Sequence, residues 1–180
     1  MEEVSLPDGK VISDWPIVDA RDYVNAVVFD EQGRALILDG YKHGMRRCGW
    51  QVVGGYVETD ENPLRAVERE LLEETGYKAE EWRYLGSFVV DPNRRVGVGH
   101  FFLALNARAV SEPANGDLEE STLRLVSFDE LRYALVDGRL GVISYALNVM
   151  LAFMALEKMG RNEEALAYLR SHSRGLDASA

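Results

Sequence analysis

A helix with clear start and stop signals, preceded by a pair of glycines, constrains this chain more than any other segment. Asn62 and Pro63 are typical of a helix start, because an asparagine side chain accepts a hydrogen bond from the first turn and proline fits the first helical position. Gly76 is typical of the left-handed residue that ends a helix. The sequence therefore predicts a helix over residues 63–75.

Three glutamates share one side of this predicted helix. At 100° per residue, Glu70, Glu73 and Glu74 fall within one arc, and the small Ala66 lies on the same side. Like charges three and four residues apart destabilise a helix, so the arrangement favours carboxylates that hold a hard divalent cation such as Mg²⁺. The alternative is a solvated acidic face, which is common on protein surfaces. The apolar side is expected to pack against a sheet through Leu64, Val67 and Leu71.

The net charge restricts the partners of the chain. With a formal charge of −10 over 180 residues, the protein repels nucleic acid and also any phosphate that no cation accompanies. The single cysteine, Cys48, excludes an internal disulfide. The first residues do not resemble a signal peptide, and no apolar run is long enough to cross a bilayer. We therefore expect a cytoplasmic protein without nucleic-acid or membrane partners.

Turn signals and apolar runs elsewhere predict a mixed sheet covered by helices. Strands are predicted over residues 10–18, 23–29, 35–38, 50–53, 82–90, 98–107 and 123–128. Further helices are predicted over residues 129–136, 142–159 and 163–171. Residues 41–49 are expected to form a basic loop, and Gly54-Gly55 is expected to end the preceding strand. The fold class is therefore α+β, or a three-layer α/β/α arrangement.

The segment over residues 55–77, GYVETDENPLRAVERELLEETGY, resembles a complete Nudix box. The box reads G, five residues, E, seven residues, and then R-E-U-x-E-E-x-G-U with U apolar; every specified position is filled. From average residue usage, a chance match is on the order of one in a billion per starting position. The resemblance implies a Nudix α/β/α sandwich around a mixed sheet, with a loop–helix–loop catalytic motif. It also implies hydrolysis of the diphosphate of a nucleoside diphosphate derivative.

The resemblance implies roles for the polar residues of this motif. By the family pattern, the metal ligands are Glu70, Glu73 and Glu74 with the carbonyl of Gly54, and the cofactor is Mg²⁺, with Mn²⁺ as a substitute. Glu73 and Glu74 also belong to the implied catalytic set. Arg69 belongs to that set as the partner that orients the carboxylates, although a simple surface ion pair is the alternative.

Hydrolysis also needs a base that accepts the proton of the attacking water. In related enzymes the base lies in the box or in a loop before a late strand, and the corresponding loop here spans residues 115–122. It offers Asp117, Glu119 and Glu120, of which Glu119 and Glu120 are the favoured candidates. The alternative is an exposed acidic turn. Glu61 is implied to help in holding the loop of the box.

The similarity extends to the ADP-ribose pyrophosphatase branch of the family. Pro92 lies fifteen residues after Tyr77, a spacing typical of that branch, and the similarity covers most of residues 23–156. It implies ADP-ribose or another nucleoside diphosphate sugar as substrate, with a nucleoside monophosphate and a sugar phosphate as products. Relatives often carry Arg-Gln-Tyr-Arg at residues 39–42 and glutamate at Gln51, so the preferred base and sugar stay open.

Six residues form the candidate substrate-binding set: Trp15, Tyr41, Lys42, Arg46, Gln51 and Gly55. The two aromatic rings are candidates for stacking on a nucleobase, across a homodimer interface as in related enzymes, and the basic side chains for binding phosphate. A buried tryptophan without a ligand role and a solvated basic loop are the alternatives. The expected divisions are an N-terminal, dimer-forming strand or arm over residues 1–22, a Nudix hydrolase domain over 23–172 and a frayed tail over 173–180.

Two other functions stay open on the sequence. A non-catalytic sensor or regulator on a Nudix scaffold would bind a nucleotide sugar without cleaving it. Such regulators usually lose carboxylates of the box and gain a basic appendage, and the sequence shows neither change. A purely structural domain would carry the same helix as a solvated acidic face and would take up no divalent cation.

Overall fold

A mixed β-sheet lies at the centre of the protein. The computed structural model describes residues 1–114 and 120–159. The strands are β1 (Glu2–Ser5), β2 (Val11–Trp15), β3 (Tyr23–Asp30), β4 (Ala35–Lys42), β5 (Arg47–Gln51), β6 (Val53–Tyr56), β7 (Tyr77–Lys78), β8 (Glu81–Val89), β9 (Val98–Ala109) and β10 (Ser121–Val126). The helices are α1 (Pro63–Thr75), α2 (Phe128–Ala134) and α3 (Ile143–Lys158), with a 3₁₀ turn at His43–Met45.

The order of the strands makes the large sheet mixed. It runs β10-β4-β3-β9-β7, with β5 paired to β4, β6 to β3 and β8 to β9. The pairing of β3 with β9 is parallel, and the other pairings are antiparallel. β1 and β2 form a separate antiparallel pair. The predicted mixed sheet is therefore confirmed.

Alternation along β3 explains the three layers. Val24, Ala26 and Val28 belong to the core that includes the buried face of α1. Val27 and Phe29 belong to a second core, formed with α2 and α3 on the other side of the sheet. Because successive strand side chains point to opposite faces, one apolar strand supplies both cores. The predicted α/β/α sandwich is confirmed.

Helix α1 has the predicted ends. The Asn62 side chain accepts a hydrogen bond from the backbone N–H of Arg65 at 3.0 Å, and Gly76 ends the helix at φ 74°. Val67 and Leu71 are buried against the sheet as predicted. The prediction is wrong for Leu64, which is 39% exposed because it lies at the edge of the helix rather than over the sheet.

The structure corrects two predictions near the end of β4. Residues 41–49 do not form one basic loop, because β4 continues to Lys42 and pairs there with Arg47 at the start of β5. Arg46, at φ 54°, closes the tight turn between them. Gly54 and Gly55 do not end a strand but lie within β6, paired with β3. Their missing side chains allow close packing rather than a break.

Other differences are small. The short strands β1 and β7 are absent from the sequence prediction, and the predicted helix over residues 163–171 and the tail over 173–180 lie outside the described residues. Among the described helices, none is both long and apolar enough to span a bilayer. The expected division at residue 22 stays a prediction.

Candidate active site

The glycine pair of β6 packs directly against the acidic side of α1. The backbone N–H of Gly54 donates a hydrogen bond to Glu74 Oε2 at 3.0 Å. A Cβ atom on Gly55 would lie 2.2 Å from Glu70 Oε1, so this position admits no side chain while Glu70 keeps its place. In an antiparallel pair, the N–H and C=O of one residue point to the same side. The carbonyl of Gly54 therefore also faces the acidic side of α1.

Arg69 joins the carboxylates into one network. Its Nε and Nη2 atoms donate to the two oxygens of Glu61, each at 3.0 Å. Its Nη1 donates to Glu70 Oε1 at 2.8 Å and to Glu73 Oε2 at 3.1 Å. A further bond from Nη2 reaches the carbonyl of Tyr56 at 3.1 Å. One guanidinium thus fixes the loop after β6 and offsets the repulsion between neighbouring carboxylates.

The same contacts shift the ionisation of both partners. Hydrogen bonding to Glu61 raises the pKa of Arg69 above its ordinary value, so the guanidinium stays charged. Hydrogen bonds from Arg69 hold the pKa of the Glu61 carboxyl below its ordinary value. Glu61 also accepts a bond from the backbone N–H of Glu58 at 3.1 Å, which lowers that pKa further. Glu61 is therefore an anion that anchors the loop.

We expect Arg69→Gln to lower the free energy of unfolding near neutral pH and to have a smaller effect in acid. Because the pKa of Glu61 is lowered in the folded state, its stabilising contribution is complete above the unfolded value of about 4.3. That contribution is lost as the pH falls through the folded-state pKa. Urea unfolding of both proteins between about pH 7 and pH 3 measures the difference between their free energies of unfolding, which should become smaller in acid. A difference that does not change with pH would show that the pairing of Arg69 with Glu61 is not its cause.

The oxygen atoms of this network are chemically suited to bind a hard divalent cation. In this structure, however, the carboxylates of Glu61, Glu70 and Glu73 are bonded to Arg69. Three glutamate carboxylates and one backbone carbonyl are the oxygen ligands that Mg²⁺ accepts. Across the described part of the chain, however, no group of three or more His, Cys, Asp or Glu side chains is arranged to hold a metal ion. The assignment of Glu70, Glu73, Glu74 and Gly54 as ligands therefore stays a prediction.

The residues at the two ends of the segment with the candidate bases contact α1 and β4. The backbone N–H of Ala114 donates to the carbonyl of Glu73 at 2.9 Å, which fixes the start of the segment beside α1. At its other end, the carbonyl of Glu120 lies 2.6 Å from where a Cβ atom on Gly40 would be. Glu120 is exposed, and Glu119 lies outside the described residues.

The candidate substrate-binding residues are spread over several elements. The indole N–H of Trp15, in β2, donates to the carbonyl of Asn93. Tyr41 is 42% exposed in β4, where it pairs with Cys48. The neighbouring residues of the hairpin are the partly buried Lys42 and the exposed Arg46. The structure therefore brings Tyr41, Lys42 and Arg46 together on the β4–β5 hairpin, whereas Trp15 belongs to the separate β1–β2 pair.

Gln51 and Gly55 lie on either side of the bend between β5 and β6. Gln51 is only 7% exposed and pairs with Leu38 of β4. Gly55 faces Glu70, as described above. Gln51 thus has little surface for a ligand in this arrangement, and its substrate-binding role stays a prediction.

Sequence reasoning missed Asn25 as a neighbour of the site. This residue of β3 is 3% exposed and pairs with Gly54. Its Oδ1 lies 2.4 Å from where a Cβ atom on Gly54 would be, so its amide packs against the glycine backbone. A polar residue within the apolar run YVNAVVF was the available signal. Buried polar side chains usually have a structural or functional reason.

The fold and this site define a layered α/β/α protein in which the glutamates and the arginine of α1 form a network beside the glycine pair of β6. A family model described as the NUDIX domain matches residues 19–145, and the chain therefore belongs to the Nudix family. The family resemblance predicted from the box is confirmed. Among solved structures, the chain is similar to the crystal structure of an ADP compounds hydrolase, with a TM-score of 0.70 and 17% sequence identity. That likeness covers 88% of this chain and 85% of the other, and it supports the fold.

Curated relatives place the chain more narrowly. It is 30% identical over 137 residues to a CMP-5'-(N-acetyl-N-hydroxy-3-aminopropyl)phosphonate hydrolase of Streptomyces rubellomurinus, covering 76% of this chain and 66% of the relative. It is 28% identical over 120 residues to an ADP-ribose pyrophosphatase of Bacillus subtilis, covering 67% and 64%. The matched regions thus span just under two thirds of these two relatives. The predicted resemblance to the ADP-ribose pyrophosphatase branch is confirmed by the second.

Proposed function

We propose that this chain hydrolyses the diphosphate bond of a nucleoside diphosphate derivative. ADP-ribose or another nucleoside diphosphate sugar is the proposed substrate, with a nucleoside monophosphate and a sugar phosphate as products. The observation that carries the proposal is the packing of Glu70 and Glu74 against the glycine pair of β6, with Arg69 linking Glu61, Glu70 and Glu73. A solvated acidic face has no need of such contacts. The Bacillus subtilis relative supports the choice of substrate.

The proposed cofactor is Mg²⁺, with Mn²⁺ as a substitute. Glu70, Glu73, Glu74 and the carbonyl of Gly54 would hold it, since Glu70 and Glu74 pack against the glycine pair of β6 and Arg69 bonds both Glu70 and Glu73. When bound there, such a cation neutralises diphosphate oxygens and lowers the pKa of water. The need for a cation also follows from the charge of −10, which otherwise repels a diphosphate. Arg69 then serves as a positioning residue for the carboxylates.

The proposed general base is Glu119 or Glu120. The start of their segment is bonded to α1 through the carbonyl of Glu73, and its end lies against Gly40 of β4. Ala114 and Glu120, the described residues at the two ends of this segment, thus contact α1 and β4. A carboxylate close to these residues is suited to accept the proton of an attacking water.

Tyr41, Lys42 and Arg46 are the proposed contacts for the nucleotide. They lie on the β4–β5 hairpin, and Gly40, next to Tyr41, pairs with Ser121 just after the candidate base segment. For Trp15 to stack on the nucleobase, the separate β1–β2 pair must lie beside a nucleotide-binding site. A homodimer in which this pair contacts the site of the other subunit would meet that requirement. Size measurement in solution tests the homodimer, and fractionation of cells tests the proposed cytoplasmic location.

A substrate panel tests the proposal. ADP-ribose, ADP-glucose, GDP-mannose and a CMP-linked phosphonate are incubated with the protein and Mg²⁺ or Mn²⁺, and the nucleoside monophosphate is quantified. The phosphonate is included because the Streptomyces rubellomurinus relative is named for one. We expect at least one substrate to be cleaved only with the cation. The same assay on Glu119→Gln and Glu120→Gln should show loss of kcat in the variant that lacks the base.

The competing hypothesis, a sensor that binds without cleaving, predicts a different result in the same panel. It requires saturable binding of a nucleotide sugar by calorimetry with no monophosphate released. The four carboxylates of the box are all retained, as is the arginine that joins three of them, and this retention favours the enzyme. Failure of all four compounds to react, together with tight binding of one, would replace the proposed function with the sensor.

A further inference from the structure

A cleft separates α1 from strand β8 on the flank of the helix that the proposed chemistry does not use. On a helical wheel, Arg65, Glu68 and Leu72 lie roughly 140° from the arc of the three glutamates that are the proposed metal ligands. The cleft has two parts, each with a volume of about 430 Å³, and Trp82 lines both. Pockets of this volume are typical of small-molecule sites. The cleft is therefore large enough for a ligand of its own.

The first part of the cleft is mainly aromatic. It is lined by Asn62, Pro63, Leu64, Trp82, Tyr84, His100 and Phe102. The ring of Phe102 lies 5.3 Å from that of Tyr84 and 6.2 Å from that of Trp82, between ring centroids. Tyr84 is 56% exposed and Leu64 is 39% exposed, so apolar surface is open to solvent here. An exposed aromatic group of this kind is suited to a planar ring.

The second part of the cleft offers one cation that is not paired with any described carboxylate. Its ionisable lining residues are Arg65, Arg69 and Lys78, together with the carboxylate of Glu68. Arg65 is paired with that carboxylate at 2.9 Å, and Arg69 is bonded to carboxylates of the active site. Lys78 is exposed and forms no ion pair among the residues that the structure describes. Its ammonium group complements an anionic group such as a phosphate.

We propose that this cleft binds a nucleoside monophosphate, with the base against Tyr84 and the phosphate at Lys78. Trp82 lines both parts, and the proposed ligand extends across it, with the ring in the first part and the phosphate in the second. The choice of a monophosphate rests on the proposed function, because it is the product of that reaction. Arg69 lines the cleft and also binds three carboxylates of the active site, so the occupant adjoins the catalytic network.

Calorimetric titration of the full chain with adenosine monophosphate tests the inference. The buffer contains EDTA, so that a site dependent on divalent cations makes no contribution. We expect saturable binding that is weakened about tenfold by Tyr84→Ser, since stacking of a base on one aromatic side chain is worth that much. Lys78→Gln should weaken it by a similar factor. Tyr133→Ser and Lys10→Gln are matched controls at exposed positions and should leave the affinity unchanged.

Several results would overturn the inference. These are no binding in EDTA, an affinity that both cleft substitutions leave unchanged, or equal binding of inorganic phosphate, which would leave the aromatic part without a role. Circular dichroism confirms that each variant is folded. Hydrolysis with Mg²⁺ is measured on the same proteins, and the cleft variants should keep their kcat. Hydrolysis by the parent protein without binding in EDTA contradicts only this inference, whereas binding in EDTA without any hydrolysis contradicts only the proposed function.

Discussion

We expect replacement of Glu74 with glutamine to lower kcat by about 10²–10³-fold on whichever substrate the chain accepts, and to leave the fold intact. The amide oxygen of glutamine can still accept the hydrogen bond from the backbone N–H of Gly54, which Glu74 accepts at 3.0 Å. The substitution therefore removes a negative charge and leaves the packing of α1 on β6 in place. Steady-state kinetics with saturating Mg²⁺, together with thermal unfolding of both proteins, measures the two effects separately.

Glu68→Gln is the matched control for this experiment. Glu68 lies on the same helix but on the cleft flank, where it pairs with Arg65 at 2.9 Å, and exposed pairs of this kind contribute little. We expect its kcat to stay within about twofold of the parent value. If both variants lose activity equally, the acidic side of α1 has no special role. If neither loses activity, the proposed ligand set is wrong.

The parts of the fold that local chemistry determines could be predicted from the sequence. Helix α1 begins after Asn62 and ends before Gly76 because the cap and the left-handed stop are properties of neighbouring residues. β3 could be predicted because its run of apolar residues is buried on both faces. The carboxylate arc likewise follows from spacing along one helix. The roles of Arg69 and Glu61 came from the family resemblance and not from the spacing, because Glu61 and Tyr56 reach Arg69 only through the loop geometry.

The β4–β5 hairpin and strand β6 show where local signals fail. The basic segment after Tyr41 has no apolar alternation, and its pairing depends on β4 lying beside it. Two adjacent glycines normally indicate a turn, but in β6 they lie extended between β3 and α1. Glycine is needed here because β3 and α1 leave no room for a side chain, and this packing exists only in the folded protein. The neighbouring atoms differ between Gly54 and Gly55, so their alanine variants should behave differently.

Gly54→Ala is expected to destabilise the protein strongly. The new Cβ atom would lie 2.2 Å from the backbone carbonyl oxygen of Val24 and 2.4 Å from Asn25 Oδ1. Backbone of a central strand cannot move aside without disturbing both cores, so overpacking should lower the free energy of unfolding by about 1–3 kcal/mol or more. Urea unfolding measures the change. A Gly54→Ala protein with parental stability would show that β6 does not pack as closely as described.

Gly55→Ala should instead abolish most of the activity at little cost in stability. Its Cβ atom would lie 2.2 Å from Glu70 Oε1 and 2.3 Å from Glu70 Cδ, and these atoms end a flexible side chain that can rotate away. Rotation takes the Glu70 carboxylate from its place beside β6 and weakens its 2.8 Å bond from Arg69. We expect kcat to fall by about 10²-fold, since displaced catalytic groups have effects of that size. Unchanged kcat in Gly55→Ala would mean that Glu70 acts from another position. A loss of stability equal to that of Gly54→Ala would mean that the Glu70 side chain cannot rotate away from the new methyl group.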